Sequence, residues 1–178
     1  SIYMDGLSIC HRINMKQKNK KSQLSNYPYL FKDKIIHFGS QYMWTSWEKF
    51  LSLDNNYIVS FYHGKHRDGI DISNHINQFV NSADKLSKIV TASTLIEKRL
   101  LKWGISRSKL VKIPIGVDTK LFNIPNEIEK INIRKKLGIS NNKLIIGSFQ
   151  KVGDGWGEGM NPKLIKGPDV FLKTIKIL

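Results

Sequence analysis

Two stretches of this chain have residue types and spacing that offer chemistry. The first is His63-Gly64. An imidazole titrates near neutrality and can donate or accept a hydrogen bond. A glycine beside it lets another group approach the backbone closely. Taken alone, His63 serves equally well as a cap or a solvated surface residue. His66 and Asp68 follow on a polar stretch with Lys65 and Arg67, and with His63 they could be read as metal ligands. A loop fixes no coordination geometry, however, and no second cluster supports that reading. The second stretch is Gly147-Ser-Phe-Gln-Lys151, continued by Gly153, Gly155, Gly157 and Gly159 and then by Lys163, Lys166 and Gly167. Unpaired N–H groups at a helix start, with lysines converging on them, suit a diphosphate. The G-x-G-x-G-x-G spacing matches neither the dinucleotide fingerprint nor a P-loop. A long mobile surface insertion is the competing reading, with Trp156 as a lid anchor or a simple cover. No G-x-S-x-G nucleophile motif occurs, and the single Cys10 excludes a disulfide framework and a multi-cysteine metal site.

The elements that must position these residues follow a regular pattern. Short apolar runs at Lys34–Gly39, Tyr57–Tyr62, Lys88–Ala92 and Leu110–Pro114 predict buried strands, and Lys143–Gly147 predicts the start of a fifth. Between them, Ile72–Ala83 has apolar residues at helical spacing. Ser93 is a natural cap for a helix from Thr94 to Trp103 that ends at Gly104. Glu127–Leu137 predicts a helix stopped by Gly138, and the last helix opens at Gly167-Pro168 with proline in its first turn. The first 30 residues show no clear period, and Met15–Gln23 reads as a lysine-rich solvated loop. Strands alternating with helices are the pattern of βα units on a parallel sheet. The expected class is therefore α/β with a Rossmann-like parallel sheet. The near-continuous apolar strands predict a sheet covered on both faces. Ligands of such folds bind at the carboxyl ends of the strands. Here those ends carry Gly39-Ser40, His63-Gly64, Ser93, Gly116 to Asp118, and Ser148 to Lys151. The segment from Tyr42 to Trp47 reads as a polar loop beside the first of them.

Composition narrows the classes further. The chain has 178 residues, 40% hydrophobic and 24% charged, which is a globular balance of one domain or one and a fraction. No apolar run approaches the length of a membrane span, and no signal-peptide pattern opens the chain. The lone cysteine fits a reducing, cytoplasmic compartment. The formal charge is +15, with 24 Lys against 5 Arg. Abundant Lys, Ile and Asn is what AT-rich codon usage produces. Five scattered arginines argue against a nucleic-acid partner, because base and phosphate readers lean on bidentate Arg contacts. A phosphate-bearing substrate, or peripheral contact with an anionic membrane at its inner face, stays compatible.

The run Lys109-Leu-Val-Lys-Ile-Pro-Ile-Gly-Val-Asp-Thr-Lys-Leu-Phe122 resembles the domain junction of retaining glycosyltransferases with the two-domain GT-B fold, the nucleotide-sugar group called family 4. The "P-x-G-V-D" of that junction matches at Pro114, Gly116, Val117 and Asp118, with Phe122 following. Val90-Thr-Ala-Ser93 and Trp103-Gly-Ile105 are similar to its last N-domain βα unit. Arg134-Lys-Lys-Leu-Gly-Ile139, Leu144-Ile-Ile-Gly147 and Lys166-Gly167-Pro168-Asp169 are similar to the start of its donor-binding domain, and His63-Gly64 to its strand-end histidine. The similarity spans residues 34–178.

The resemblance implies three parts: an acceptor-side domain over 1–118, a linker and helix over 119–142, and the first βα unit of a donor-binding domain over 143–178. It implies sugar transfer, with retention, from a nucleotide-diphosphate sugar to a glycan, lipid-linked or polysaccharide acceptor. The nucleotide sugar is then a substrate, with neither cofactor nor metal implied. His63 would contact the transferred sugar or stabilise its oxocarbenium-like transition state by charge. Lys166, with Lys151, Gly147 and Gly167, would hold the donor diphosphate. Gly64, Ser93, Gly116 and Asp118 would line the interdomain cleft, and Gly39, Ser40 and the polar loop near Tyr42 to Trp47 the acceptor side. Two departures stand out. The family's arginine after the first donor-domain glycine is replaced here by Ser148 to Lys151, and a lysine cannot make its bidentate fork. The family's two glutamates eight positions apart do not occur in the chain. The resemblance thus implies a piece of a longer protein, unable to turn over alone. A non-catalytic Rossmann-like domain binding a phosphorylated ligand is the alternative.

Overall fold

The computed structural model describes residues 2–16, 21–149 and 167–177. It divides into two compact units, Ser1–Val117 and Asp118–Leu178.

The first unit is α/β. A helix, α1 (Ile2–Lys16), precedes β1 (Ile35–Phe38), α2 (Gln41–Trp47), β2 (Asn56–Ser60), α3 (Ile70–Ser82), β3 (Leu86–Thr91), α4 (Thr94–Lys102) and β4 (Leu110–Lys112). The four strands form one parallel sheet in the order β1-β2-β3-β4, a Rossmann-like arrangement. The ladders run Ile36 to Tyr57, Val59 to Ile89 and Ile89 to Leu110. Ser87 is an extra residue where β2 meets β3.

Register decides which side chains reach the core. Phe38, Tyr57, Val59 and Ile89 lie on one face and are buried with Trp44 of α2, Phe79 of α3, and Ile96 and Leu100 of α4. The aromatic rings interlock, Trp44 lying 5.7 Å from Phe38 and 5.5 Å from Tyr57, and Phe61 lying 4.8 Å from Phe79. The Trp44 indole N–H donates to Ser82 Oγ at 2.9 Å, which satisfies a polar atom inside this apolar cluster.

The opposite face corrects an expectation. Ile35 and Ile113 are largely exposed, His37 and Lys88 are exposed, and Ile58, Val90 and Val111 are half-buried. The sheet is packed into a core on one face rather than covered on both. Strand order explains this: each helix links neighbouring strands in sequence, and crossovers of one hand place successive helices on the same side.

Helix ends agree with their sequence signals. Ser93 caps α4 by accepting from the Ile96 amide at 3.3 Å. At its other end Gly104 takes a left-handed φ of +88°, and the Ile105 amide returns to the Leu100 carbonyl. Two segments differ from expectation. Met15 and Lys16, read as loop, end α1. Tyr42 to Trp47, read as a polar loop, belongs to α2, because the Ser40 side chain caps the helix through the Tyr42 amide and Trp44 anchors it in the core.

The second unit holds α5 (Glu127–Lys136) and α6 (Pro168–Ile177). Asn126 and Glu129 form a reciprocal capping box at 2.9 Å in each direction. Gly138, with φ +66°, ends the helix. Arg134 Nη1 then ties down the carbonyls of Ser140 and Lys143. The expected fifth strand at Lys143–Gly147 does not form. A strand exists only as part of a ladder, and the described residues of this unit offer no second strand to pair with it. Accordingly Leu144 is 85% exposed.

Candidate functional site

The carboxyl edge of the parallel sheet gathers the residues expected there. Gly39-Ser40 follows β1, His63-Gly64 lies just beyond β2, Ser93 follows β3 and Gly116 lies beyond β4. Each owes its place to the strand before it. Ser40 and Ser93 have an added duty, since their hydroxyls cap α2 and α4.

The His63-Gly64 turn is held from two sides. Gln41 is 2% exposed, and its Nε2 donates to the His63 carbonyl at 3.1 Å. Arg99 of α4 donates from Nη1 to the Gly64 carbonyl at 2.8 Å. Gly64 itself has φ +113°, a conformation that L side chains rarely adopt. Two consecutive carbonyls are thus anchored by two helices, which holds the backbone that carries the exposed His63 imidazole. Gln41 and Arg99 carry no signal in sequence spacing. They reach the turn only through packing.

Two more side chains join His63. The Tyr42 ring lies 6.0 Å from the His63 ring and stacks on His75 of α3. Thr45 Oγ1 meets His75 Nδ1 at 3.2 Å. Burial, and secondarily the nearby His63, hold the His75 imidazole below its usual pKa. Sequence reasoning placed His75 in a helix without a role, and Tyr42 in a polar loop of the expected acceptor side. The one available signal was their proximity in sequence to Ser40 and to the α3 stripe.

The alternative metal set is drawn into structure. His66 Nδ1 bonds Ser73 Oγ at 3.0 Å, and its ring stands edge-on to Trp103. Asp68 accepts from the Lys65 amide at 3.1 Å and pairs with its ammonium at 3.3 Å. Among the described residues no group of three His, Cys, Asp or Glu is placed to hold a metal ion.

In the second unit, Asp118 Oδ1 accepts from the amides of Lys120 and Leu121 at 3.0 and 3.3 Å, so its carboxylate shapes a local turn. Gly147 is crowded by the Phe149 ring, which a Cβ would meet at 3.0 Å. Gly167 precedes α6 with φ +69°, and its carbonyl accepts from Phe171. Lys151 and Lys166, with Gly153 to Gly159, Trp156 and Lys163, lie outside the described residues. Among the described residues, no helix is long and apolar enough to cross a membrane. No protein-family model matches the chain and no curated protein matches it significantly, so the sheet and the geometry of its carboxyl edge carry the functional reading.

Proposed function

We propose that the chain is part of a retaining glycosyltransferase that moves a sugar from a nucleotide-diphosphate donor to a glycan or lipid-linked acceptor. The supporting observation is the His63-Gly64 turn, fixed at the carboxyl edge of a parallel sheet by Gln41 and Arg99. A side chain held on an immobile backbone suits transition-state stabilisation, because no reorganisation is needed as charge develops. In this reading His63 lies against the transferred sugar and stabilises positive charge at its anomeric carbon. Lys166, with Lys151, Gly147 and Gly167, binds the donor diphosphate. Gly64, Ser93 and Gly116 belong to the strand-end edge of the first unit, and Gly39 and Ser40 to its acceptor side. Cytoplasmic placement with peripheral contact to an anionic membrane belongs to the same proposal.

The test is transfer of labelled sugar from UDP- and GDP-sugars by the full-length protein. His63→Ala should lower kcat by about 10²-fold or more, the usual size of a lost transition-state contact. Lys166→Ala should also raise KM for the donor. Wild-type kinetics in His63→Ala would remove its role. Nucleotide binding without any transfer would favour the phosphorylated-ligand domain instead.

A further inference from the structure

The Tyr42–His75 pair beside His63 is not used by the reading above. The two rings lie 4.0 Å apart and 18° from parallel. Tyr42 sits in the first turn of α2, and His75 on α3. Thr45 Oγ1, one turn further along α2, fixes the imidazole through Nδ1. The Thr45 hydroxyl also reaches the Gln41 and Tyr42 carbonyls at 3.3 and 3.2 Å. A hydroxyl has one hydrogen, and in a helix it goes to those carbonyls. Thr45 therefore accepts from His75 Nδ1–H. His75 Nε2 is buried and without a partner among the described residues. A proton there would go unsatisfied, which favours the neutral ring behind Tyr42.

Tyr42 has one face against this anchored ring, yet the residue keeps 40% of its surface exposed. Its hydroxyl has no partner among the described residues. The outer part of the ring looks onto the strand-end edge next to His63. A flat apolar plate with a polar rim matches the C–H face of a pyranose, whose hydroxyls then meet the rim. The side chains behind and beneath the ring, Gln41, Thr45 and His75, carry no carboxylate, ammonium or guanidinium, which favours an uncharged hydroxylated ring over an anion.

We propose that the outer face of Tyr42, backed by His75, is a stacking platform for a saccharide ring and sets that ring beside His63. The proposal rests on the glycosyltransferase reading and deepens it by placing the sugar. Either the acceptor or the donor sugar supplies such a ring.

Saturation-transfer NMR with methyl glycosides of glucose, galactose and mannose, and separately with UDP-glucose, tests it on the full-length protein. At least one glycoside, or the glucose of UDP-glucose, should receive saturation on its ring protons and shift the Tyr42 ring and His63 imidazole signals. The responding probe identifies the source of the sugar. Tyr42→Ala and Tyr42→Ile should weaken binding about tenfold, the scale of a lost aromatic contact. Tyr42→Phe and Tyr42→Trp should bind within about threefold of wild type, because the flat face remains. Trp44 fluorescence reports whether each variant is folded. Saccharide binding unchanged in folded Tyr42→Ala, or equal loss in Tyr42→Phe, overturns the platform and leaves the glycosyltransferase reading standing. Binding of UDP-glucose through the nucleotide alone, with no glycoside bound, also overturns it. If no probe binds the wild-type protein, the platform fails, whereas the glycosyltransferase reading stands or falls by the transfer assay above.

Discussion

Gln41 Nε2 donates to the carbonyl oxygen of His63, so the first residue of one helix fixes the turn that follows the next strand. Gln41→Leu removes the donor while keeping the volume. It leaves a carbonyl unpaired and should cost about 1–3 kcal/mol in urea unfolding. Arg99→Met removes the second anchor of the same turn. The double variant should deviate from additivity by at least about 0.5 kcal/mol, as residues sharing one structure do. Strict additivity would show that the two side chains hold the turn independently.

Gly64 offers a separate test of strain. A Cβ there would meet only Ile76 and Ile72 at 3.7 and 3.9 Å, ordinary contact distances. Any loss in Gly64→Ala must then come from φ +113° rather than from a clash. The expected cost is about 1–3 kcal/mol. A neutral Gly64→Ala variant in the same unfolding assay would mean that the turn relaxes to negative φ, and its His63 signals should then shift.

The Trp44 indole and Ser82 hydroxyl form a polar link inside the buried aromatic cluster. Ser82→Ala strips the indole N–H of its acceptor. Destabilisation of about 1–3 kcal/mol is expected, with a change in tryptophan emission at constant far-UV circular dichroism. Stability equal to wild type would show that the N–H finds another acceptor.

Acid should weaken the fold through two histidines. His37 is exposed as a residue, but its Nε2 bonds Ser60 Oγ at 2.9 Å against the sheet, and partial desolvation of the ring there holds it below 6.5. His75 is lowered from 6.5 by burial first and by His63 second. The unfolded chain protonates both at their ordinary value, so it carries more protons than the native state below 6.5. Stability is therefore full above pH 6.5 and falls as the pH drops from there towards the lowered native values. Melting temperature measured between about pH 7.5 and 5 should decline on the acid side, and the double variant His37→Gln, His75→Gln should flatten that decline. An unchanged slope in the double variant would place the acid sensitivity elsewhere.

The parallel sheet and its edge were legible because local signals agreed with one another. Val90-Thr-Ala-Ser93 reads as a strand followed by a cap, and both form. Helix α2 was not legible, since its 7 residues, Gln41-Tyr-Met-Trp-Thr-Ser-Trp47, are too short a window for the Trp44–Trp47 spacing to stand out as a helical period. Its polar Gln41 and Thr45 are buried to serve the His63 turn and His75. The one-sided sheet was hidden for the opposite reason. Ile35, Ile58, Val90 and Val111 make the strands look apolar throughout, although they lie on the less buried face. The fifth strand failed because apolar composition supplies side chains for a ladder but not the partner. Of the candidate site, His63 was readable from its place after a strand. Its supports come from 22 and 35 residues away, and no spacing rule reaches that far.

The sequential strand order has a consequence for how the first unit comes to be. Every ladder joins strands separated by a single crossover, so each closure spans only a short stretch of chain. Closure entropy is paid in small instalments, which favours rapid assembly over topologies that must first bring distant strands together. Each new strand can add to an edge that already exists. A chain leaving the ribosome can therefore lay down this sheet from β1 to β4 in the order in which it is made.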